Sequence, residues 1–125
     1  MLASTSAVTV HEAPSADSDA AFRKLAEATL ASIEATADRL LQDDVVDVDA
    51  ARTGGMLELR FPGGSTIVVN TQPPLRELWL AAREGGHHFR VDGQRWLDTR
   101  SGEDFYSVLS RAASAAGGRE ICFSA

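Results

Sequence analysis

Between residues 45 and 98 the chain is cut at short intervals by turn-forming pairs, and this punctuation restricts the fold more than any other feature. Gly54-Gly55, Pro62-Gly63-Gly64, Gly85-Gly86 and Asp92-Gly93 separate short apolar and β-branched runs. Leu57, Leu59 and Phe61 alternate with Glu58 and Arg60, and Thr66 to Asn70 is β-branched. Leu78 and Leu80 alternate with Glu77, Trp79 and Ala81. His87 to Val91 and Gln94 to Asp98 flank Asp92-Gly93, a two-residue hairpin signal, while Val45 to Asp49 alternates weakly. Connections this short cannot hold a crossover helix, so consecutive strands are expected to be antiparallel neighbours.

Segments of helical period flank this meander. Phe22, Leu25, Ala26, Thr29, Leu30, Ile33, Ala37 and Leu40 form one apolar stripe, predicting a helix from near Asp19 to about Leu41, with Asp17, Ser18 or Asp19 as its cap. Phe105, Val108, Leu109 and Ala112 predict a second helix that begins near Gly102-Glu103-Asp104 and stops at Gly117-Gly118. Ile121-Cys122-Phe123 is apolar enough to pack on the core or to add an edge strand. The expected fold is α+β. It is a two-layer sandwich in which two helices cover one face of a five- to six-stranded antiparallel sheet and the other face is open to water. Residues 1–16 show no trustworthy period and are read as a tail, leaving residues 17–125 as one domain.

Several function classes drop out. Cys122 is the sole cysteine, so one chain can form neither a disulfide nor a Cys-rich metal site. No run of 18 apolar residues exists, and the first 16 residues carry no Lys or Arg, so neither a membrane span nor a targeting segment is expected and a bacterial cytoplasm is the default location. P-loop, GxGxxG, HExxH and GxSxG patterns are absent, and the glycine pairs sit at turns, so no enzyme activity is expected.

Charge is distributed unevenly. The formal net charge is −6, and residues 17–49, with nine acids and three bases, account for all of it. Such a field repels nucleic acid and anionic lipid and favours cations or basic partners. Glu27 has Arg23 and Lys24 one turn earlier and reads as an ordinary helix pair. Glu34 and Asp38 lie one turn apart with no base at helical spacing, and Asp43, Asp44, Asp47 and Asp49 extend the run. Like charges at that spacing cost about 0.2–0.5 kcal/mol, and acids late in a helix oppose its dipole. Stability alone does not select this arrangement, which makes a cationic ligand a reasonable cause. Carboxylate oxygens are hard donors that suit magnesium, calcium, manganese or iron. On an exposed helix face they would bind weakly and release easily.

A second candidate lies on the sheet. If Leu78 and Leu80 point inward, Glu77 and Trp79 point to the open face, with Asn70 and Gln72 nearby as hydrogen-bonding groups. By the same parity Phe89 and Val91 point inward and His88 and Arg90 outward, so His87 and His88 cannot easily share a metal. His88 reads as a surface bystander.

Taken in order, these segments resemble the bacterial form of the frataxin family from about Asp17 to Ser124. The resemblance rests on Gly54-Gly55-Met56-Leu57, Phe61 through Asn70, Asn70-Thr71-Gln72-Pro73-Pro74-Leu75 and Leu78-Trp79-Leu80-Ala81. It continues in Gly85-Gly86-His87-His88-Phe89, Trp96, and Arg100-Ser101-Gly102-Glu103 before Phe105. It implies the same α-β-sheet-α sandwich and a role in iron–sulfur cluster assembly. It also implies weak binding of ferrous or ferric iron at surface carboxylates and contact with a cysteine desulfurase and the iron–sulfur scaffold protein. By resemblance, Glu34, Asp38, Asp43, Asp44, Asp47 and Asp49 form the metal and desulfurase surface, and Asn70, Gln72 and Trp79 a second interaction surface. The family suggests a monomer able to oligomerise with iron. A metal-independent acidic adaptor is the alternative, and a ferroxidase-like activity has no support in the residues. Ala35, Arg39, Leu41 and Val45 interrupt the acidic ridge that bacterial relatives carry in denser form.

Overall fold

A computed structural model of the chain describes residues 16–125. Helix α1 (Ala16–Gln42) is followed by strands β1 (Asp49–Thr53), β2 (Met56–Arg60), β3 (Thr66–Gln72), β4 (Glu77–Ala82), β5 (Gly85–Asp92) and β6 (Arg95–Asp98), then helix α2 (Phe105–Gly117). All six strands form one antiparallel sheet in chain order. The expected α+β sandwich and its antiparallel meander are therefore observed. Of the expected tail, residues 1–15 lie outside the described residues, and Ala16 already opens α1.

One face of the sheet carries the core. Leu57, Leu59, Ile67, Val69, Leu78, Leu80, Phe89 and Trp96 meet Phe22, Ala26, Leu30, Ile33 and Ala37 of α1 and Phe105, Val108, Leu109, Ala112 and Ala113 of α2, all buried. Trp96 solves a polar problem inside this core. Its Nε1–H donates to Thr29 Oγ1 at 3.0 Å, and that hydroxyl donates to the Leu25 carbonyl at 2.8 Å, so no indole N–H is left unpaired. Helix α2 is capped by Asp104, whose carboxylate accepts from Tyr106 N at 3.0 Å, and it ends at Gly118 in the left-handed conformation.

Residues 121–123 pack on the core and form no strand. Ile121 and Phe123 are buried, and their backbone groups bond to the hydroxyls of Ser114 and Ser110, while Ser32 of α1 donates to the Ser124 carbonyl. This segment straps the two helices together, and each buried side chain contributes about 1.5–3 kcal/mol. Gly117 permits the close approach, because a Cβ there would fall 2.7 Å from the Ile121 Cδ1.

Four local expectations shift. Val45 to Val48 is not a strand. Val46 and Val48 are buried, but the backbone N–H groups of Val45 and Val46 turn back to the Leu40 carbonyl, so they cannot join a ladder until Asp49. The β4–β5 loop is Arg83-Glu84, since Ala82 pairs with Gly85; Gly85 and Gly86 belong to β5. The β5–β6 loop is Gly93-Gln94, since Asp92 pairs with Arg95. There Gly93 has φ +69, the positive value required at the first position of a two-residue hairpin loop. Val91 shares the helix side with Phe89 but lines an open cavity of about 800 Å³ beside the first turns of α1 and stays 41% exposed. Among the described residues, no helix is long and apolar enough to cross a membrane.

Candidate functional site

The acidic ridge is built by the way α1 ends. Asp43 N bonds to the Arg39 carbonyl and Asp44 N to the Leu41 carbonyl, and Asp44 takes φ +58, a left-handed conformation that Asp tolerates better than most residues. The chain then runs Val46-Asp47-Val48-Asp49. With both valines buried, Asp47 and Asp49 are turned to solvent. Asp38, Asp43, Asp44, Asp47 and Asp49 are all exposed. Among the described residues, no basic side chain lies within salt-bridge distance of any of the five. Three bases stand near the ridge and bond elsewhere: Arg39 donates to Thr36 Oγ1, Arg119 to the Val45 carbonyl, and Arg60, directly opposite Asp49 across β1 and β2, to Glu58.

Glu34 is different. Its Oε1 accepts from Arg52 Nη1 at 3.1 Å, and Arg52 Nη2 bonds to Glu27. Arg52 comes from β1, on the same side of the strand as the half-buried Ala50, and reaches across to α1. The partner of Glu27 is thus this strand residue, not Arg23 or Lys24 of its own helix. Hydrogen bonding to Glu27, partly offset by burial and reinforced by Glu34, holds the Arg52 guanidinium even more firmly protonated than usual. Among the described residues, no three His, Cys, Asp or Glu side chains are grouped so that they could hold a metal ion. The ridge is an open row of single carboxylates.

The sheet surface has the opposite character. Asn70, Trp79 and His88 stand side by side across β3, β4 and β5, as do Gln72, Glu77 and Arg90. Trp79 and His88 stack with ring centroids 4.0 Å apart and planes within 6°. Glu77 is buried although it faces the open side. Its Oε1 accepts from Trp79 Nε1 at 2.8 Å, its Oε2 accepts from Arg90 Nε at 3.0 Å, and His88 Nδ1 lies 3.8 Å away. The Trp79 hydrogen bond, opposed by burial and aided by Arg90, keeps the Glu77 carboxyl below its ordinary pKa. Gln72 Nε2 donates to Asn70 Oδ1 at 3.0 Å. The expected trio Asn70, Gln72 and Trp79 is brought together, and Glu77, His88 and Arg90 complete it. His88, read from the sequence as a surface bystander, is packed against Trp79. Its register opposite Trp79 was the available signal.

His87 faces the other way, as expected, with Nδ1 3.0 Å from Asp98 Oδ2. Asp98 is buried, which raises its pKa, but the N–H groups of Arg100 and Ser101 and the His87 contact bring it below the ordinary value. This cluster fixes the turn before α2 and belongs to neither surface.

A family model described as a frataxin-like domain matches residues 15–119. The iron–sulfur cluster assembly protein CyaY of Variovorax paradoxus (strain S110) is 47% identical over 107 residues, covering 86% of this chain and 97% of that protein. The protein of the same name from Polaromonas sp. (strain JS666 / ATCC BAA-500) is 42% identical, covering 86% and 92%. Among solved structures, the frataxin of Psychromonas ingrahamii superposes with a TM-score of 0.74 at 32% identity over 86% of this chain and 98% of its own. A trimeric frataxin from the yeast Saccharomyces cerevisiae, complexed with ferrous iron, gives 0.65 at 25% identity over 76% and 87%. Matches in sequence and in fold span most of the chain on both sides, and the chain belongs to the frataxin-like family.

Proposed function

We propose that this protein serves iron–sulfur cluster assembly by binding iron weakly along Asp38, Asp43, Asp44, Asp47 and Asp49 and regulating or supplying a cysteine desulfurase from that surface. The observation that carries the reading is the lack of ion pairs: five exposed carboxylates in 12 residues, with no base within salt-bridge distance among the described residues. Holding them together costs stability, and a multivalent hard cation would relieve that cost. Relatives named as iron–sulfur cluster assembly proteins and a yeast relative complexed with ferrous iron support the choice of iron. Single carboxylates with water filling the remaining positions would give low affinity and easy release, which suits transfer. Asn70, Gln72 and Trp79, with His88 and Arg90, form a second docking face for the assembly machinery. The reading assigns the protein no catalytic step.

An anaerobic ferrous titration followed by backbone amide NMR tests the iron reading. Signals of Asp38 and of residues 43–49 are expected to shift or broaden first, and unmoved signals there would overturn it. The open arrangement, with no three-carboxylate group, favours one second reading, an acidic adaptor that docks on a basic desulfurase surface without metal. That reading predicts desulfurase binding in iron-free buffer that weakens steeply with salt and is lost when Asp43, Asp44 and Asp47 are changed to Lys.

A further inference from the structure

Arg52 uses all three guanidinium nitrogens. Nε donates to the Gly54 carbonyl at 3.2 Å, Nη1 to Glu34, and Nη2 to Glu27. The turn bond fixes the head group, and its side chain is only 21% exposed. Along the helix, Glu27 and Glu34 are two turns apart, about 10 Å, a span that a guanidinium fork with long acidic side chains can close. Glu34 and Asp38 are one turn apart, about 6 Å, close enough for both to approach one hydrated cation. Glu34 therefore has two possible partners, and the folded chain has already chosen. A cation recruiting Glu34 must displace a charged hydrogen bond and approach a fixed positive group.

We propose that Arg52 sets the upper limit of the cation-binding ridge, holding Glu34 as an internal counter-ion and withholding it from Asp38. This inference builds on the ridge reading above. Hard divalent cations then engage the ridge from Asp38 toward Asp49, and Glu34 contributes nothing while Arg52 is present. Arg52 acts through Glu34, so it is a residue that positions the site and not a ligand.

Manganese(II) is the probe, because its paramagnetism broadens amide signals even at low occupancy. In the otherwise unaltered chain, Glu34→Gln is expected to leave the manganese midpoint within about two-fold, while Asp38→Asn weakens it by more. Arg52→Met keeps the side-chain stem and is expected to tighten binding by about five-fold or more, with broadening extended up α1 to Glu34. The double variant Arg52→Met/Glu34→Gln should lose that gain. Equal weakening by Glu34→Gln and Asp38→Asn would overturn the proposal. So would a gain that persists in the double variant, or no gain in a folded Arg52→Met. If Arg52→Met fails to fold, the Glu34→Gln and Asp38→Asn pair decides. Absence of broadening from Asp38 to Asp49 in the unaltered protein would instead sink the ridge reading, and Arg52→Met against its double variant would still report on Arg52.

Discussion

From the last turn of α1 to the start of β1, five carboxylates stand in solvent with no base within salt-bridge distance among the described residues; on the open sheet face a single carboxylate, Glu77, is buried with two donors bonded to it and a histidine ring beside it. The first surface leaves its charge uncompensated and its geometry loose. The second compensates its charge internally and fixes its geometry through a stacked Trp79–His88 pair. Uncompensated charge attracts mobile ions and exchanges them readily, whereas a locked, partly apolar platform recognises shape. Arg52 marks a boundary between these two treatments of charge within α1. Above it, Glu27 and Glu34 are paired with Arg52, and below it the acids form no salt bridge among the described residues.

The contrast predicts opposite responses to losing a carboxylate, and the largest effect should be at Glu77. Glu77→Ala removes the charge-assisted acceptor of the half-buried Trp79 N–H and of Arg90, which is 66% exposed and can turn to water, and is expected to cost about 1–3 kcal/mol in urea unfolding. The same carboxylate gives the surface a pH dependence. Its folded pKa lies below the unfolded value, so its stabilisation is complete above the ordinary carboxylate range, near pH 4–4.5, and is lost as pH falls below it. Glu77→Gln should flatten part of the acid limb of the stability profile, to which Asp98 contributes with the same sign. An unchanged acid limb in Glu77→Gln would mean that the platform is not held by this charge.

Much of this architecture was legible because two periods, 3.6 and 2, were separated by turn residues. Every strand but the first was placed in the right segment, and parity sent Glu77 and Trp79 to one face and Leu78 and Leu80 to the other. What escaped was whatever depends on neighbours distant in sequence. The pairing of Glu34 with Arg52, 18 residues on, could not appear in a search of helical spacings, because it arises where the edge strand packs beneath α1. The burial of Glu77 is equally invisible along β4 alone. Its cover comes from Trp79 and from Arg90 and His88 on β5. Val46 and Val48 looked like a strand because burial on alternate residues mimics one, while their backbone bonds ran elsewhere.

A smaller effect is expected at the stack itself. His88→Ala removes a parallel ring contact that is about half exposed, and should cost about 0.5–1 kcal/mol. The more diagnostic readout is Trp79 fluorescence, which should report a more solvated, more mobile indole while Phe89 and the core beneath stay intact. If the emission is unchanged, Glu77 alone holds Trp79, and the stack is incidental to the platform.

The smallest effect carries the opposite sign. Asp38 sits in the latter part of α1, where a negative charge opposes the helix dipole, and it precedes Asp43 and Asp44. Arg52 already compensates Glu34, so repulsion from that neighbour is muted and the relief available is modest. Asp38→Asn should therefore stabilise the protein by about 0.5 kcal/mol at low ionic strength, and the gain should fade toward 1 M salt, where screening shortens to about 3 Å. Glu34→Gln should do the reverse and cost a few tenths of a kcal/mol, because Arg52 loses a partner. Two carboxylates one turn apart on the same helix would then differ in the sign of their contribution, for the single reason that one of them has a base within 3.1 Å. If Asp38→Asn proves destabilising instead, its carboxylate has a structural partner in solution, and the ridge would have to begin at Asp43.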